Sequence, residues 1–231
     1  MKFFVDTANL ADIEEIASWG VLAGATTNPT LLAQVKGKPD DIYRKICDLV
    51  NGPVSAEVVA ETSTDMLKEG LRLAAIHEHI VVKLPMCVQA LTATDALAAK
   101  GVRVNMTLVF TAPQAMMAAA SGAAFVLPFL GRFDDIGQDG LHELSQIVEC
   151  FANSDHECQV LAASIRHPVH VIEAAKIGAD VATIPPKVFH QMLTHPLTTS
   201  GIEKFTADAV ARNAEAAAAA AKRAARRPVK K

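Results

Sequence analysis

The sequence predicts an α/β fold: a single (β/α)8 TIM barrel of parallel strands surrounded by helices, followed by a C-terminal helical extension. Three observations lead to it. Short β-type runs recur eight times along the 231 residues, at intervals of about 20 to 35. Between them lie longer stretches with the apolar periodicity of helices. Glycine closes a helical stretch just before the next strand at Gly20, Gly101, Gly122 and Gly178, where a left-handed residue is wanted. Eight such units without a long linker read as a closed barrel, because an open sheet of this size usually spends residues on an edge strand or an extra domain. A chain that is 51% hydrophobic can bury the core this requires, and no second domain is needed.

The elements follow in order. Phe3-Phe4-Val5 forms the first strand, ended by Asp6, and a helix is expected over 12–19. Gly24-Ala25-Thr26-Thr27 forms the second, with Asn28 behind it and a helix over 40–50. The third, 54–58, carries Glu57 and leads to a helix over 65–76. Ile80-Val81-Val82-Lys83 is the fourth, a β-branched run of the kind buried on both faces of a parallel sheet, with a helix over 91–99 after it. The fifth, 102–109, holds Asn105 and Thr107 and precedes a helix over 113–120. The sixth, 124–129, ends in Phe129 and runs past Arg132 to a helix over 141–151. Gln159-Val160-Leu161-Ala162 is the seventh, trailed by Ser164, Arg166 and a helix over 168–177, and Val181-Ala182-Thr183-Ile184 is the eighth. The barrel is placed at 1–208 and the extension at 209–231.

A barrel of this kind builds its chemistry at the C-terminal ends of the strands, and the polar residues collect there. Lys83 is the most telling. A lysine within an apolar strand loses hydration, its pKa is expected to fall towards neutrality, and it then becomes a Schiff-base nucleophile. The alternative is a strand-end lysine that snorkels to water or pairs with a carboxylate. The polar groups on nearly every other strand end favour the nucleophile. Asp6 and Glu57 suit proton transfer, and Glu57 with Thr107 could hold a relay water. Asn28 and Asn105 suit sugar hydroxyls. Arg132 and Arg166 could clamp a phosphate, with the Ser164 hydroxyl as a further donor. Together these describe a phosphosugar site. Each has a plainer reading: Asp6 as a turn cap, the asparagines as turn formers, the arginines as surface ion pairs.

Composition narrows the class further. A net charge of −3 and a pI near 6.2 argue against general nucleic-acid or membrane-surface binding. The four cysteines form no C-x-x-C pair and no regular ladder, so neither a zinc site nor a disulfide framework is indicated, and a reducing compartment fits best. The N-terminus reaches Asp6 after only three apolar residues, too short for a signal core, and no run approaches membrane-spanning length; the expectation is cytoplasmic. No G-x-G-x-x-G or G-x-x-x-x-G-K-[ST] loop is present for dinucleotides or NTPs. His167 and His170 offer two metal ligands without an obvious third, and Pro168 between them suits the first position of a helix, so no metal is expected. Cys87, beside the proposed site, reads as a small apolar residue before a redox one. Beyond Ala209 an alanine run gives way to Lys222-Arg223, Arg226-Arg227 and Lys230-Lys231, read as a solvated helix extension; docking of this tail on nucleic acid is the alternative.

Seven ordered motifs resemble the short bacterial transaldolases, relatives of fructose 6-phosphate aldolase. They are Phe4-Val5-Asp6-Thr7-Ala8-Asn9, Ala25-Thr26-Thr27-Asn28-Pro29-Thr30, Val54-Ser55-Ala56-Glu57-Val58, Val81-Val82-Lys83-Leu84-Pro85-Met86, Asn105-Met106-Thr107-Leu108-Val109-Phe110, Pro128-Phe129-Leu130-Gly131-Arg132 and Ala163-Ser164-Ile165-Arg166-His167-Pro168. The resemblance implies a (β/α)8 barrel that moves a dihydroxyacetone unit from sedoheptulose 7-phosphate or fructose 6-phosphate to an aldose phosphate, in the non-oxidative pentose phosphate pathway, with no metal or organic cofactor. It implies that Lys83 is the nucleophile, Asp6 the proton-transfer acid, Glu57 and Thr107 the water-holding pair, Asn28 and Asn105 the hydroxyl ligands, and Arg132 with Arg166 the phosphate binders. It also implies a homodecamer of two rings whose C-terminal helix reaches a neighbour. The aldolase subgroup typically has Gln where this chain has Glu57 and Tyr where it has Phe129, so both positions favour transaldolase. Two positions depart from the pattern: Leu127 stands where Ser is common and Cys87 where Thr is common.

Overall fold

The computed structural model describes residues 1–225, which fall into one compact unit over 1–191 and a second from Met192 on. In the first unit eight parallel strands close on themselves in sequence order: β1 (Lys2–Asp6), β2 (Leu22–Thr26), β3 (Val54–Glu57), β4 (Ile80–Pro85), β5 (Val104–Val109), β6 (Phe125–Pro128), β7 (Gln159–Ala162) and β8 (Val181–Ile184). The ring is sealed where β8 pairs with β1. The helices are α1 (Leu10–Ser18), α2 (Pro29–Leu32), α3 (Pro39–Val50), α4 (Ser63–Ala74), α5 (Val88–Ala98), α6 (Ala112–Ala120), α7 (Leu130–Asp134), α8 (Gly140–Ala152), α9 (Pro168–Ile177), α10 (Pro186–Leu193) and α11 (Pro196–Ala225). The expected (β/α)8 barrel is the observed fold.

Strand alternation divides the core in two. Val82, Leu84, Val104, Met106 and their equivalents join the helices in the outer shell. Phe4, Val81, Phe125, Leu127, Leu161, Ala163 and Val181 fill the interior of the barrel. Gly24 leaves the space that the Phe4 ring occupies, since a Cβ there would overlap ring atoms. Two residues further along, the inward positions become polar: Asp6 after Phe4, Lys83 after Val81, and Thr183 after Val181. The mouth of the barrel is thus the polar continuation of its own apolar stripe.

The structure adds three helices to those expected, α2, α7 and α10. The first two follow β2 and β6 directly and are only four and five residues long. Caps join strands to helices: Asn28 Oδ1 accepts from Leu31 N at 2.9 Å, and Cys87 Sγ from Ala90 N at 3.4 Å. In the second unit α11 runs for 30 residues, through the alanine-rich stretch, so the boundary expected at 208 lies within one continuous helix. Leu197, Ile202, Phe205 and Val210 are exposed on it. Arg226-Arg227 and Lys230-Lys231 lie outside the described residues. Among the described residues no helix is long and apolar enough to cross a membrane, and all four cysteines are free, with burial pushing the thiols of Cys47 and Cys158 up to about 12.

Candidate active site

Register places the central groups side by side. Glu57 pairs with Lys83 across β3 and β4, and Lys83 with Asn105 across β4 and β5, while Asp6 faces Thr26 across β1 and β2. The Lys83 side chain is only 4% exposed, so it does not snorkel to water; its Nζ lies 3.0 Å from Glu57 Oε2 and donates to the Thr27 carbonyl at 3.0 Å. It therefore combines the two readings, a buried lysine that also has a carboxylate partner. Asp6 Oδ1 accepts from Thr26 Oγ1 at 2.8 Å, and Thr26 Oγ1 is 2.6 Å from Thr183 Oγ1. Thr26 has one proton, which it gives to Asp6 Oδ1, so Thr183 donates to Thr26. Desolvation raises the Asp6 pKa above the ordinary 3.8, against the lowering effects of the Thr26 hydrogen bond and the Lys83 charge. A carboxyl raised this way, beside a buried lysine, suits proton transfer.

Two cavities meet at Lys83. The outer, about 460 Å³, is lined by Asn28, Glu57, Lys83, Thr107, Phe129 and Arg132. The inner, about 220 Å³, adds Asp6, Leu127, Ser164, Arg166 and Thr183. Of the ten residues singled out from the sequence, nine line these spaces. Asn105 lines neither; it pairs with Lys83 in register and is fully buried, its Nδ2 donating to Ser55 Oγ at 2.9 Å. Its Oδ1 and the Thr107 hydroxyl are buried without a partner among the described residues, so both can serve a ligand or water. Asn28 does cap α2 with Oδ1, as the turn-forming alternative requires, which leaves its Nδ2 as the donor for a ligand. Leu127 is 1% exposed and faces inward beside Asp6 and Lys83. Leu108, on the outer wall, has φ 58 where the β5–β6 register shifts, a conformation that costs on the order of 1–3 kcal/mol and marks a constrained position.

The two arginines share a frame. The Arg132 guanidinium lies 5.1 Å from the centre of the Phe129 ring, a cation–π contact that holds it over the mouth. Arg166 crosses Gly131, where a Cβ would overlap its Nε and the Ser164 carbonyl, and its Nη2 donates to Asp135 Oδ2 at 2.8 Å. The ion-pair alternative is thus realised for Arg166, in an exposed and exchangeable form, while the side chain still lines the inner cavity. Ser164 stands in the left-handed region, at φ 57, on the same loop.

Sequence reasoning did not assign Thr26, Thr183, Ser55, Tyr43 or the Asp134–Asp135 pair to the site. Thr183 was accessible to it, as the polar residue two positions beyond the apolar inward Val181 on the eighth strand. Tyr43 reaches from α3 to the Thr27 side chain and the Glu57 main chain. The third group near His167 and His170 is Asp134, supplied by α7. These three do not form a ready ligand set. Each histidine Nδ1 accepts a backbone N–H, His167 from His170 and His170 from Arg166, both at 3.4 Å, which leaves neither Nδ1 lone pair open to an ion and puts the proton of a neutral His170 on Nε2. At His170 that proton points to Asp134.

A parallel barrel with a buried lysine–carboxylate pair and two arginines at its C-terminal mouth has the layout of an enzyme site. The chain belongs to the transaldolase/fructose-6-phosphate aldolase family, which it matches over residues 3–228. It is 54% identical over 217 residues to a probable transaldolase of Thermus thermophilus, covering 90% of this chain and 97% of that protein. It is 52% identical over 208 residues to one of Brevibacillus brevis, with 90% and 97% covered, and 50% identical over 209 residues to one of Myxococcus xanthus, with 90% and 94% covered. Among solved structures, a mandelate oxidase superimposes with a TM-score of 0.56 at 16% identity, over 80% of this chain. The chain spans 64% of that oxidase's length, and the likeness is one of fold alone.

Proposed function

We propose that the protein is a transaldolase that carries a three-carbon ketose unit on Lys83 between phosphorylated sugars. The observation that supports this most is Lys83 itself, buried at the junction of two cavities with a carboxylate at 3.0 Å and a second carboxyl, Asp6, on the other wall. The deprotonated Nζ adds to the carbonyl carbon of the ketose, and Asp6 protonates the carbinolamine hydroxyl, which leaves as water to give an iminium. The iminium draws the electrons of the C3–C4 bond as a base takes the C4 hydroxyl proton, so the aldose leaves and an enamine remains. The enamine carbon then attacks the aldehyde of the acceptor, whose oxygen takes the proton. Water held by Glu57 and Thr107 hydrolyses the new iminium and frees Lys83. Asn28 Nδ2 and Asn105 Oδ1 hold donor hydroxyls, and Arg132, Arg166 and Ser164 bind the phosphate, with no cofactor required.

Glu57 and Phe129, where the related aldolases typically carry Gln and Tyr, favour transfer to an acceptor sugar over release of free dihydroxyacetone. The donors are sedoheptulose 7-phosphate or fructose 6-phosphate, and the acceptors glyceraldehyde 3-phosphate or erythrose 4-phosphate. We place the enzyme in the cytoplasm as a homodecamer, a reading that the apolar residues exposed on α11 support.

The test is borohydride reduction in the presence of fructose 6-phosphate, which should fix a three-carbon adduct on Lys83 and none in Lys83→Ala. An adduct on a different lysine, or turnover without any, would overturn the mechanism. Adding erythrose 4-phosphate should yield sedoheptulose 7-phosphate; free dihydroxyacetone as the main product would instead make it an aldolase.

A further inference from the structure

We propose that Asp134 and His170 are a positioning pair that sets the phosphate affinity of Arg166 without touching substrate. The argument starts at a buried imidazole. His170, on α9, is 5% exposed, and burial first, then the neighbouring His167, holds its pKa below the ordinary histidine value. A neutral imidazole has one N–H and one lone pair, and which nitrogen carries the proton is fixed by its partners. Here the main-chain N–H of Arg166 points at Nδ1, and a carboxylate oxygen of Asp134 lies 3.1 Å from Nε2. Only one assignment satisfies both: Nδ1 accepts from Arg166, and Nε2 donates to Asp134.

Asp134 therefore selects the tautomer of His170, and the tautomer holds the main chain of Arg166. Without the acceptor at Nε2, the ring is free to place its proton on Nδ1, where two N–H groups would oppose each other and push the Arg166 loop away. The side chain is held from the same helix. Asp135, next in sequence, takes the guanidinium, and Gly131 lets the stem pass close to the backbone. Arg132 belongs to this helix too, so α7 carries one arginine directly and, with its C-cap Asp135, holds the other through two successive aspartates. At metal sites, a carboxylate that orients a ligating histidine is a recurrent supporting device whose loss typically costs about tenfold or more in affinity or activity, and the same carboxylate–histidine device here orients Arg166 in place of a metal.

This rests on the reading that Arg166 binds the substrate phosphate, and the experiment separates the two. Steady-state constants are measured for glyceraldehyde 3-phosphate and for unphosphorylated glyceraldehyde as acceptors, with inorganic phosphate as a competitive probe. Asp134 is exposed, so its variants leave the core packing in place, and the comparison uses Asp134→Leu, Asp134→Asn and Arg166→Ala. Asp134→Leu should raise KM for the phosphorylated acceptor and Ki for phosphate about tenfold, with kcat and the constants for glyceraldehyde within about twofold of the parent. Asp134→Asn keeps an oxygen that accepts from Nε2 and should restore most of the loss. Phosphate constants unchanged in Asp134→Leu but raised in Arg166→Ala would overturn the positioning role alone. Unchanged constants in Arg166→Ala would overturn the phosphate reading and this proposal with it. Equal losses on both acceptors, or Asn behaving as Leu, would mean a general structural or charge effect and would also overturn it. A direct readout needs no variant: the imidazole nitrogen spectrum of His170 should show the Nε2–H tautomer, and an Nδ1–H pattern would exclude the mechanism.

Discussion

Asp6 and Leu127 both line the inner cavity, and each carries a cost that a substitution can expose. The raised pKa of Asp6 means that, between its unfolded and folded values, the folded chain holds the proton more tightly than the unfolded one. This carboxyl favours folding fully below the unfolded value, and that contribution is lost as pH rises through the folded value. Asp6→Asn should therefore raise the thermal midpoint at neutral pH, with the gain shrinking as pH falls below the raised pKa, while kcat drops by about 10²–10⁴-fold for want of the proton donor. A midpoint gain that grows towards acid would contradict the assigned direction. Leu127 sets a branched apolar side chain on the inner cavity that the proposed donor would enter, and a buried hydroxyl without a partner costs roughly 1–3 kcal/mol. Leu127→Ser should raise kcat/KM for the ketose donor about tenfold, or about 1.4 kcal/mol, and leave borohydride trapping at Lys83 possible in both forms. A folded variant no better than its parent would mean that the leucine matches a different donor.

At the level of elements, the joints between strand and helix decide local stability. Cys87 caps α5 through a long S···N contact of 3.4 Å, and sulfur is a weak acceptor compared with a hydroxyl. Cys87→Thr should stabilise the chain by about 0.5–1 kcal/mol, seen as a rise in thermal midpoint without change in kcat; an unchanged midpoint would show that the thiol caps as well as a hydroxyl does. The strands were legible because β-branched runs between glycine and polar punctuation leave a strong mark, and the seven long helices because their apolar faces repeat over several turns. The helices α2 and α7 left none, since four or five residues cannot show a period. That gap carries through to the site. With α7 missing from the sequence reading, Asp134 and Asp135 had no place near His170 and Arg166, residues 31 or more positions away. The strand-end residues, by contrast, were found because alternation and the barrel's polarity put them there. Thr26 was passed over as strand, although it stands between Asp6 and Thr183.

For the molecule as a whole, α11 raises the question of what its apolar side chains are for. Phe205 is 73% exposed and Leu197 75%, with Ile202 and Val210 also uncovered, on a helix that a soluble monomer would gain nothing by making so apolar. Alanine propensity accounts for the helix but not for these four residues. The proposed homodecamer offers an account of them, since contact with further copies of the chain would bury them. Sedimentation velocity should then give a particle near ten times the 24.5 kDa chain. Leu197→Asp with Phe205→Asp should shift it to smaller species, because charges placed in a buried apolar contact lose hydration without gaining a partner. Removing 209–231 should weaken assembly less, since three of the four apolar residues precede position 209. A parent that sediments as a monomer would remove the decamer from the proposal. A double variant that stays fully assembled would place the contact on another surface.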